Sequence, residues 1–275
     1  MNSPTWCQIN VAFPDWGRAE HIALTRLAPL LCTAEDEGAL TSWFIIRKRP
    51  CWRVRHLCAA DGQDPIGPHL DRLTAEGHVK TWTEIIYEPE IHAFGGPEAM
   101  ASAHHLFHRD SRNLVDFLQS DAGRHRRETS LMLCSLLMRS AGLDWYEQGD
   151  VWARVAAHRA LPAGAAHGGD QLLTTVHRLI SVNGEDMMRA GGPLAHAAEW
   201  AGAYAGAGTD LARLTESGQL RRGLRDVVAH HVLFAWNRIG LPYATQAILA
   251  TATKTVIFGP DPTSERSTAD RVETP

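Results

Sequence analysis

The chain has 275 residues, 44% of them hydrophobic, and its 27 Lys and Arg against 31 Asp and Glu leave a formal charge of −4. That length suffices for a real core in one large or two small domains, and the slightly acidic balance removes the electrostatic case for direct nucleic-acid binding. Cys7, Cys32, Cys51, Cys58 and Cys134 form no Cys-x-x-Cys pair and no even framework, which favours a reducing compartment; without a signal peptide or long apolar run, the expectation is a cytoplasmic protein with no membrane association.

Residues 5–13 read as a first strand, and 16–31 as a helix with Ile22, Leu24, Leu27 and Leu31 apolar. Two strand-like runs, 42–47 and 52–57, are separated by Lys48-Arg49-Pro50-Cys51, which suggests a hairpin. In the second run a period of two puts Arg53 and Arg55 on one face, close enough to grip one anionic ligand or two carboxylates. Taken alone, such a pair is more often a solvated strand face. Asp64-Pro65 opens a helix to about residue 76 and Gly77 closes it; residues 78–87 make a fourth strand. The order is β-α-β-β-α-β, the split βαβ pattern of ferredoxin-like folds.

The fourth strand ends at Pro89, Gly95-Gly96 turns the backbone, and Pro97 sits where a first helical residue belongs. Tyr87, Glu88, Glu90 and His92 therefore crowd a loop at a helix N-terminus, where orphan amides and the helix dipole favour a carboxylate. On the helix from 97 to 119, Asp110 shares a stripe with Met100, Ala103, Phe107, Leu114 and Phe117. An inward-facing acid needs a partner. Asp110 and Ser111 read either as a structural hydrogen-bonding pair or as part of a site whose cation lies elsewhere.

Further helices are expected over 124–141, 145–158, 170–189, 193–217, 220–238 and 242–258, with an Ala/Gly-rich mobile loop at 161–169 and a disordered tail at 259–275. On the helix from 220, Leu220, Leu224, Val227, Val228, His231, Phe234 and Arg238 fall on one stripe. A histidine and an arginine on a face that should be buried are costly unless paired, so His231 and Arg238 read as a general base and an anion clamp, with His230 adjacent. A lone histidine there would more often be a satisfied core residue.

Three other patterns carry less. His104, His105 and His108 include metal-compatible spacings, but no zinc pattern follows, so an exposed helix face is expected. His108-Arg109-Asp110 echoes a kinase catalytic loop without its companion motifs. Residues 124–127 form a basic run expected to be solvated, which could attract an acidic peptide.

Together these residues carry a family resemblance. Trp43-Phe-Ile-Ile-Arg47 with Cys51-Trp-Arg-Val-Arg55, then Tyr87-Glu-Pro-Glu-Ile91 with Phe94-Gly-Gly96, then Asp110-Ser111, then residues 229–238 ending in Asn237-Arg238, resemble the thiopeptide-type bacteriocin biosynthesis domain. That domain is similar to the C-terminal elimination domain of lantibiotic dehydratases. The likeness spans about residues 6–258, which the resemblance treats as one domain: an α+β part to residue 96, ferredoxin-like, against a largely helical part from 97.

The resemblance implies work on a ribosomal precursor peptide, leader plus core. A large partner would esterify Ser or Thr with glutamate from glutamyl-tRNA, and this protein would eliminate the glutamate to leave dehydroalanine or dehydrobutyrine. In that chemistry His231 would be the base, Arg53, Arg55 and Arg238 would hold the glutamyl carboxylates or the enolate, and Tyr87, Glu88 and Glu90 would orient them. His92, Asp110, Ser111, His230 and Asn237 would line the substrate. No cofactor or metal is implied, and a homodimer is compatible with the sequence.

The same fold also serves as a pyridine synthase that joins two dehydroalanines in a formal [4+2] cycloaddition and expels the leader. A third reading is a non-catalytic module that delivers leader peptide to the large dehydratase. Three departures bear on the choice: Ala93 stands where dehydratases commonly have Arg, Leu233 where they place His, and Cys51 where the two-arginine strand usually begins with His.

Overall fold

The computed structural model describes residues 6–59, 65–161, 169–192 and 194–259. The expected mobile loop and C-terminal tail lie almost wholly outside them. The chain divides into two compact units, Met1–Arg126 with Phe234–Gly240, and Arg127–Leu233 with Leu241–Pro275.

The first unit opens with β1 (Trp6–Ala12), followed by α1 (Trp16–Ile22), a π-helical turn (Ala23–Leu27) and α2 (Ala28–Asp36). The predicted first helix thus runs five residues further and carries a π turn that its apolar spacing does not reveal. Then come β2 (Leu40–Lys48), β3 (Cys51–Cys58), α3 (Gly67–Ala75) and β4 (Thr81–Ile86). The sheet is antiparallel in the order β2-β3-β1-β4. This is the arrangement that the split βαβ pattern predicts. Gly77, at φ 75°, ends α3 as expected.

Both faces of the sheet are covered, which explains four consecutive buried apolar residues in β2. Trp43 and Ile45 join Ile9, Val11, Trp52 and Val54 in a core against the first helices and α3. Phe44 and Ile46 point the other way, into a second cluster with Tyr87, Phe94, Met100, Ala103 and Phe107. The long helix α4 (Pro97–Gln119) shields the outer edge of β2. The Trp43 N–H reaches His108 Nδ1 at 3.3 Å, and the Ile45 N–H donates to Ser111 Oγ at 3.2 Å. His108 also contacts Glu35 through Nε2 at 3.0 Å, so it is not the exposed histidine that the sequence suggests.

The ion pairs of Glu20 and of Asp110 also brace this unit. Glu20 joins Arg47 and takes a two-pronged pair from Arg126 at 3.0 Å, which corrects the view of residues 124–127 as a wholly solvated run. Burial raises the Glu20 carboxyl, but the Arg126 hydrogen bond and the Arg47 charge outweigh it and bring the pKa to about 2. The second pair, Asp110 with Arg238, is almost fully buried at 3% and 0% side-chain exposure.

The second unit is helical. After a 3-10 turn (Asp121–His125) come α5 (Arg126–Ser140), α6 (Trp145–His158), α7 (Asp170–Ser181), α8 (Gly184–Met188), α9 (Ala198–Glu216), α10 (Leu224–Ile239) and α11 (Tyr243–Phe258). The helix predicted over 170–189 breaks because Val182 turns extended and Asn183-Gly184 follows. The one predicted from 220 starts four residues later, because the Leu220 N–H closes the end of α9 on Leu214 O at 3.0 Å. α11 packs on α6 at Gly149, where a Cβ would come within 2.5 Å of Phe258 Cζ. α10 passes from the second unit into the first, delivering Phe234 and Arg238. The fold class is α+β, as expected.

Removing one partner of a buried ion pair leaves an uncompensated charge and costs about 3–5 kcal/mol. Asp110→Ala should lower the unfolding free energy measured in urea by that amount, and Asp110→Leu combined with Arg238→Met should recover most of it. An Asp110→Ala unfolding free energy within about 0.5 kcal/mol of the parent, the scale of an ordinary surface substitution, would remove the pair from this role.

Candidate functional site

Cross-strand register puts Phe44, Arg55, Gln8 and Ile85 in one row across the sheet, with Ile46, Arg53, Asn10 and Thr83 in the next. Arg53 and Arg55 therefore share a face, as a period of two predicts, and it is the face bearing the Phe44, Tyr87 and Phe107 cluster. Arg55 is 6% exposed. Its Nε donates to Gln8 Oε1 at 2.7 Å, and Gln8 in turn donates to Asn10 Oδ1 at 3.0 Å. The guanidinium lies 4.4 Å from the Tyr87 ring centre and 5.4 Å from that of Phe44.

Burial pushes the Arg55 pKa down, and the charges of Arg53 and Arg238 add to this while that of Glu90 opposes it. Three guanidinium groups therefore act on one another here, with Glu90 close enough to compensate in part. Arg238 sits over the Phe107 ring at 4.3 Å. Phe234 stacks on Phe107 at 5.5 Å, and Phe94 meets Phe234 edge-on at 5.0 Å. Gly95 and Gly96, at φ 91° and 119°, make the turn that brings Phe94 inward just before α4.

The polar atoms of this cluster are not all satisfied. Arg53 Nε and both terminal nitrogens of Arg238 are buried and have no hydrogen-bond partner among the described residues. Buried donors without partners are uncommon and call for an explanation, and a bound anion is one that suits a cation.

His104 is the residue that sequence reasoning missed. It follows Met100 by one helical turn, on the edge of the inward stripe, and the metal-spacing comparison obscured that signal. Its Nε2 lies 2.9 Å from the Tyr87 hydroxyl, and its ring lies tilted against that of Trp6, with 4.6 Å between centres. Burial and the Arg55 charge lower its pKa to about 4, so it is neutral at pH 7. Burial lifts Tyr87 to about 12 despite Arg55, so the phenol also stays neutral. The pair orients rather than ionises. Gln8 was likewise unmarked, although Gln8 and Asn10 alternate with Ile9 and Val11 in β1.

The first unit thus brings together Arg53, Arg55, Tyr87, Glu90, Asp110 and Arg238. Glu88 and His92 are exposed on the loop before α4. The Ser111 hydroxyl is engaged by Ile45 at the sheet edge. Asn237 lies on α10 beside Arg238, partly buried. His230 and His231 belong to the second unit: His231 is 2% exposed, and the His230 ring faces that of His158 at 6.4 Å. Among the described residues, no group of three or more His, Cys, Asp and Glu side chains could hold a metal ion, and no helix is long and apolar enough to cross a membrane.

Comparison with known proteins bears on family and fold. The family described as lantibiotic biosynthesis dehydratase C-term matches residues 6–257. The fold is similar to the crystal structure of the tRNA-dependent lantibiotic dehydratase MibB from Microbispora sp. 107891, at TM-score 0.60 and 18% identity. All of this chain is covered, but only 29% of MibB, so it spans less than a third of that protein. The crystal structure of TsrL is similar at TM-score 0.57 and 16% identity, covering 92% of this chain and 94% of that one. No curated protein matches by sequence.

Because the His104 pKa is depressed in the folded chain, the unfolded chain binds the extra proton, and the stability involved is full above pH 6.5 and lost as pH falls towards 4. The loss should be on the order of 2 kcal/mol after allowance for partial exposure. Chemical denaturation of His104→Gln between pH 7 and pH 4 should show a shallower acid limb than the parent. Parallel limbs would mean that the histidine does not titrate as described.

Proposed function

The chain belongs to the lantibiotic biosynthesis dehydratase C-terminal family, and from that premise we propose that it eliminates glutamate from glutamylated Ser or Thr of a ribosomal precursor peptide. A base takes the Cα proton, the Cβ–O bond breaks, a Cα=Cβ double bond forms, and glutamate leaves through its ester oxygen as a carboxylate. The product residue is dehydroalanine or dehydrobutyrine. Two features of this reaction are anionic, the enolate-like transition state and the departing glutamate, and both call for fixed positive charge away from bulk water.

The observation that carries the reading is the set of unpartnered guanidinium nitrogens on Arg53 and Arg238 beside the buried Arg55. A carboxylate supplies the acceptors that these nitrogens lack. In this assignment Arg53, Arg55 and Arg238 hold the glutamyl carboxylates and the enolate oxygen. Tyr87, held by His104, fixes the plane against which the Arg55 guanidinium lies, and Glu90 moderates the local charge. Asp110 anchors Arg238, and Ser111 secures the sheet on which the arginines stand. We assign the base to His231, seven residues ahead of Arg238 on α10, and substrate contacts to His230 and Asn237. Glu88 and His92, exposed on the loop, are available to the peptide. Glutamylation itself is assigned to a large partner protein, and residues 6–258 to one functional domain.

A second reading has its own support. Trp6, Phe44, Tyr87, Phe94, Phe107 and Phe234 line the cationic cluster with rings. A cycloaddition between two dehydroalanines needs such an apolar enclosure and no glutamate pocket, in keeping with Ala93 in place of an arginine. The non-catalytic module is disfavoured, since it gives no reason to bury Arg55.

Mass spectrometry of the precursor peptide, glutamylated by its large partner and then incubated with this protein, distinguishes the two. Elimination removes a whole glutamic acid per site, leaving each one water lighter than unmodified peptide. Arg53→Gln, at a half-buried position, should slow that loss by about 10²-fold, as expected for one lost transition-state donor, and glutamylated peptide should accumulate. His231→Ala should do the same. Undiminished turnover by Arg53→Gln overturns the anion-holding role; persistent adducts with wild-type protein, alongside cutting of a dehydrated peptide into leader and macrocycle, favour the pyridine synthase.

A further inference from the structure

The two edges of the sheet are treated differently. That of β2 is closed by His108 and Ser111 of α4. That of β4 is open: among the described residues its only strand neighbour is β1, and its only side-chain hydrogen bond runs inward from Trp82 to Asp71 of α3. Five of its six residues are exposed, Ile86 at 88% and Ile85 at 40%. Sheet proteins blunt such edges with charged side chains, Lys above all, or with Pro or bulges; Thr-Trp-Thr-Glu-Ile-Ile has one charge, Glu84, and neither Lys nor Pro.

A hollow of about 480 Å³ opens beside this edge, lined by Trp6, Cys7, Glu84, Ile85, Ile86 and Tyr87. Tyr87 is also the ring against which the Arg55 guanidinium rests. Ile85 shares its row and its face with Gln8 and Arg55. Ile85 thus stands on the sheet face that carries the cationic cluster, and Tyr87 belongs both to the hollow and to that cluster.

We propose that β4 is a docking edge for an extended segment of the peptide substrate, which adds to the sheet as a fifth strand. This rests on the peptide-substrate reading above and extends it to the mode of binding. Main-chain hydrogen bonds to β4 would hold the segment independently of its sequence. Selectivity would come from an apolar β-branched or aromatic side chain in the hollow beside Ile85 and Ile86, and from a basic side chain opposite Glu84. A strand added outside β4 lies three strand spacings from β3, roughly 14 Å, or about four extended residues. The docked segment should thus lie at least about four residues from the residue that reacts.

The test uses the full chain and the fluorescein-labelled precursor peptide, read by polarisation. Ile86→Lys should weaken binding at least tenfold with an unchanged circular dichroism spectrum, while Ile86→Val binds like the parent. Backbone N-methylation along the docked segment should weaken binding at every second residue, since only alternate N–H groups face β4. In turnover, Ile86→Lys should raise KM and spare kcat. Parent-like peptide affinity in folded Ile86→Lys overturns the proposal. In that case, a wild-type dimer split by the substitution would assign the edge to a second copy of the chain, and lost capture of the large partner would assign it to that protein. If the peptide docks with the two-residue period but wild-type protein removes no glutamate, the docking edge stands and the elimination reading falls.

Discussion

The pair between Asp110 and Arg238 is the constraint on which the cationic cluster depends. Neither charge reaches water, so each is tolerable only while the other is in place. Asp110 stands in the middle of α4, and Arg238 near the end of α10, 128 positions along the chain. Their union draws the last turns of α10 into the first unit and sets Arg238 over Phe107, with Phe234 stacked on the same ring. Because Asp110 meets Nε, the two terminal nitrogens of the fork remain unspent.

Placing several guanidinium groups within reach of one another is unfavourable, and besides the Asp110 pair the protein offsets this by three means. Aromatic faces lie under Arg55 and Arg238, Gln8 accepts from Arg55, and Glu90 supplies negative charge from the loop. None of these neutralises the cluster completely. The residual field is positive and partly shielded from water, where a charge-assisted hydrogen bond is stronger than at the surface. The neutral Tyr87 and His104 pair adds orientation without adding a charge.

Helix α4 links these features to the sheet. One stretch of it offers His104 to Tyr87, His108 and Ser111 to the β2 edge, and Asp110 to Arg238. Spacings of four and three residues put His104, His108 and Ser111 on one strip of the helix, while Asp110 lies on the neighbouring stripe with Phe107. The helix thereby closes one side of the sheet and builds the cluster on one face, while among the described residues β4 stays open on the other side.

Much of this was legible in the sequence where the signal was local and periodic. The β-α-β-β-α-β order followed from strand and helix patterns, the shared face of Arg53 and Arg55 from a period of two, and the turn into α4 from Gly95, Gly96 and Pro97. The inward position of Asp110 followed from its stripe, and its need for a cation from the cost of burying a charge. What stayed hidden depends on which residues distant in sequence become neighbours. His104 looked like one of three surface histidines until Tyr87 and Trp6 closed around it, and Arg126 looked solvated until Glu20 met it. Gln8 gained meaning only when β1 paired with β3. Periodicity assigns a side chain to a face, because backbone geometry fixes that within a few residues. Which group waits on the opposite face, and whether burial then shifts its charge, is decided by long-range packing, and only the tertiary structure holds that information.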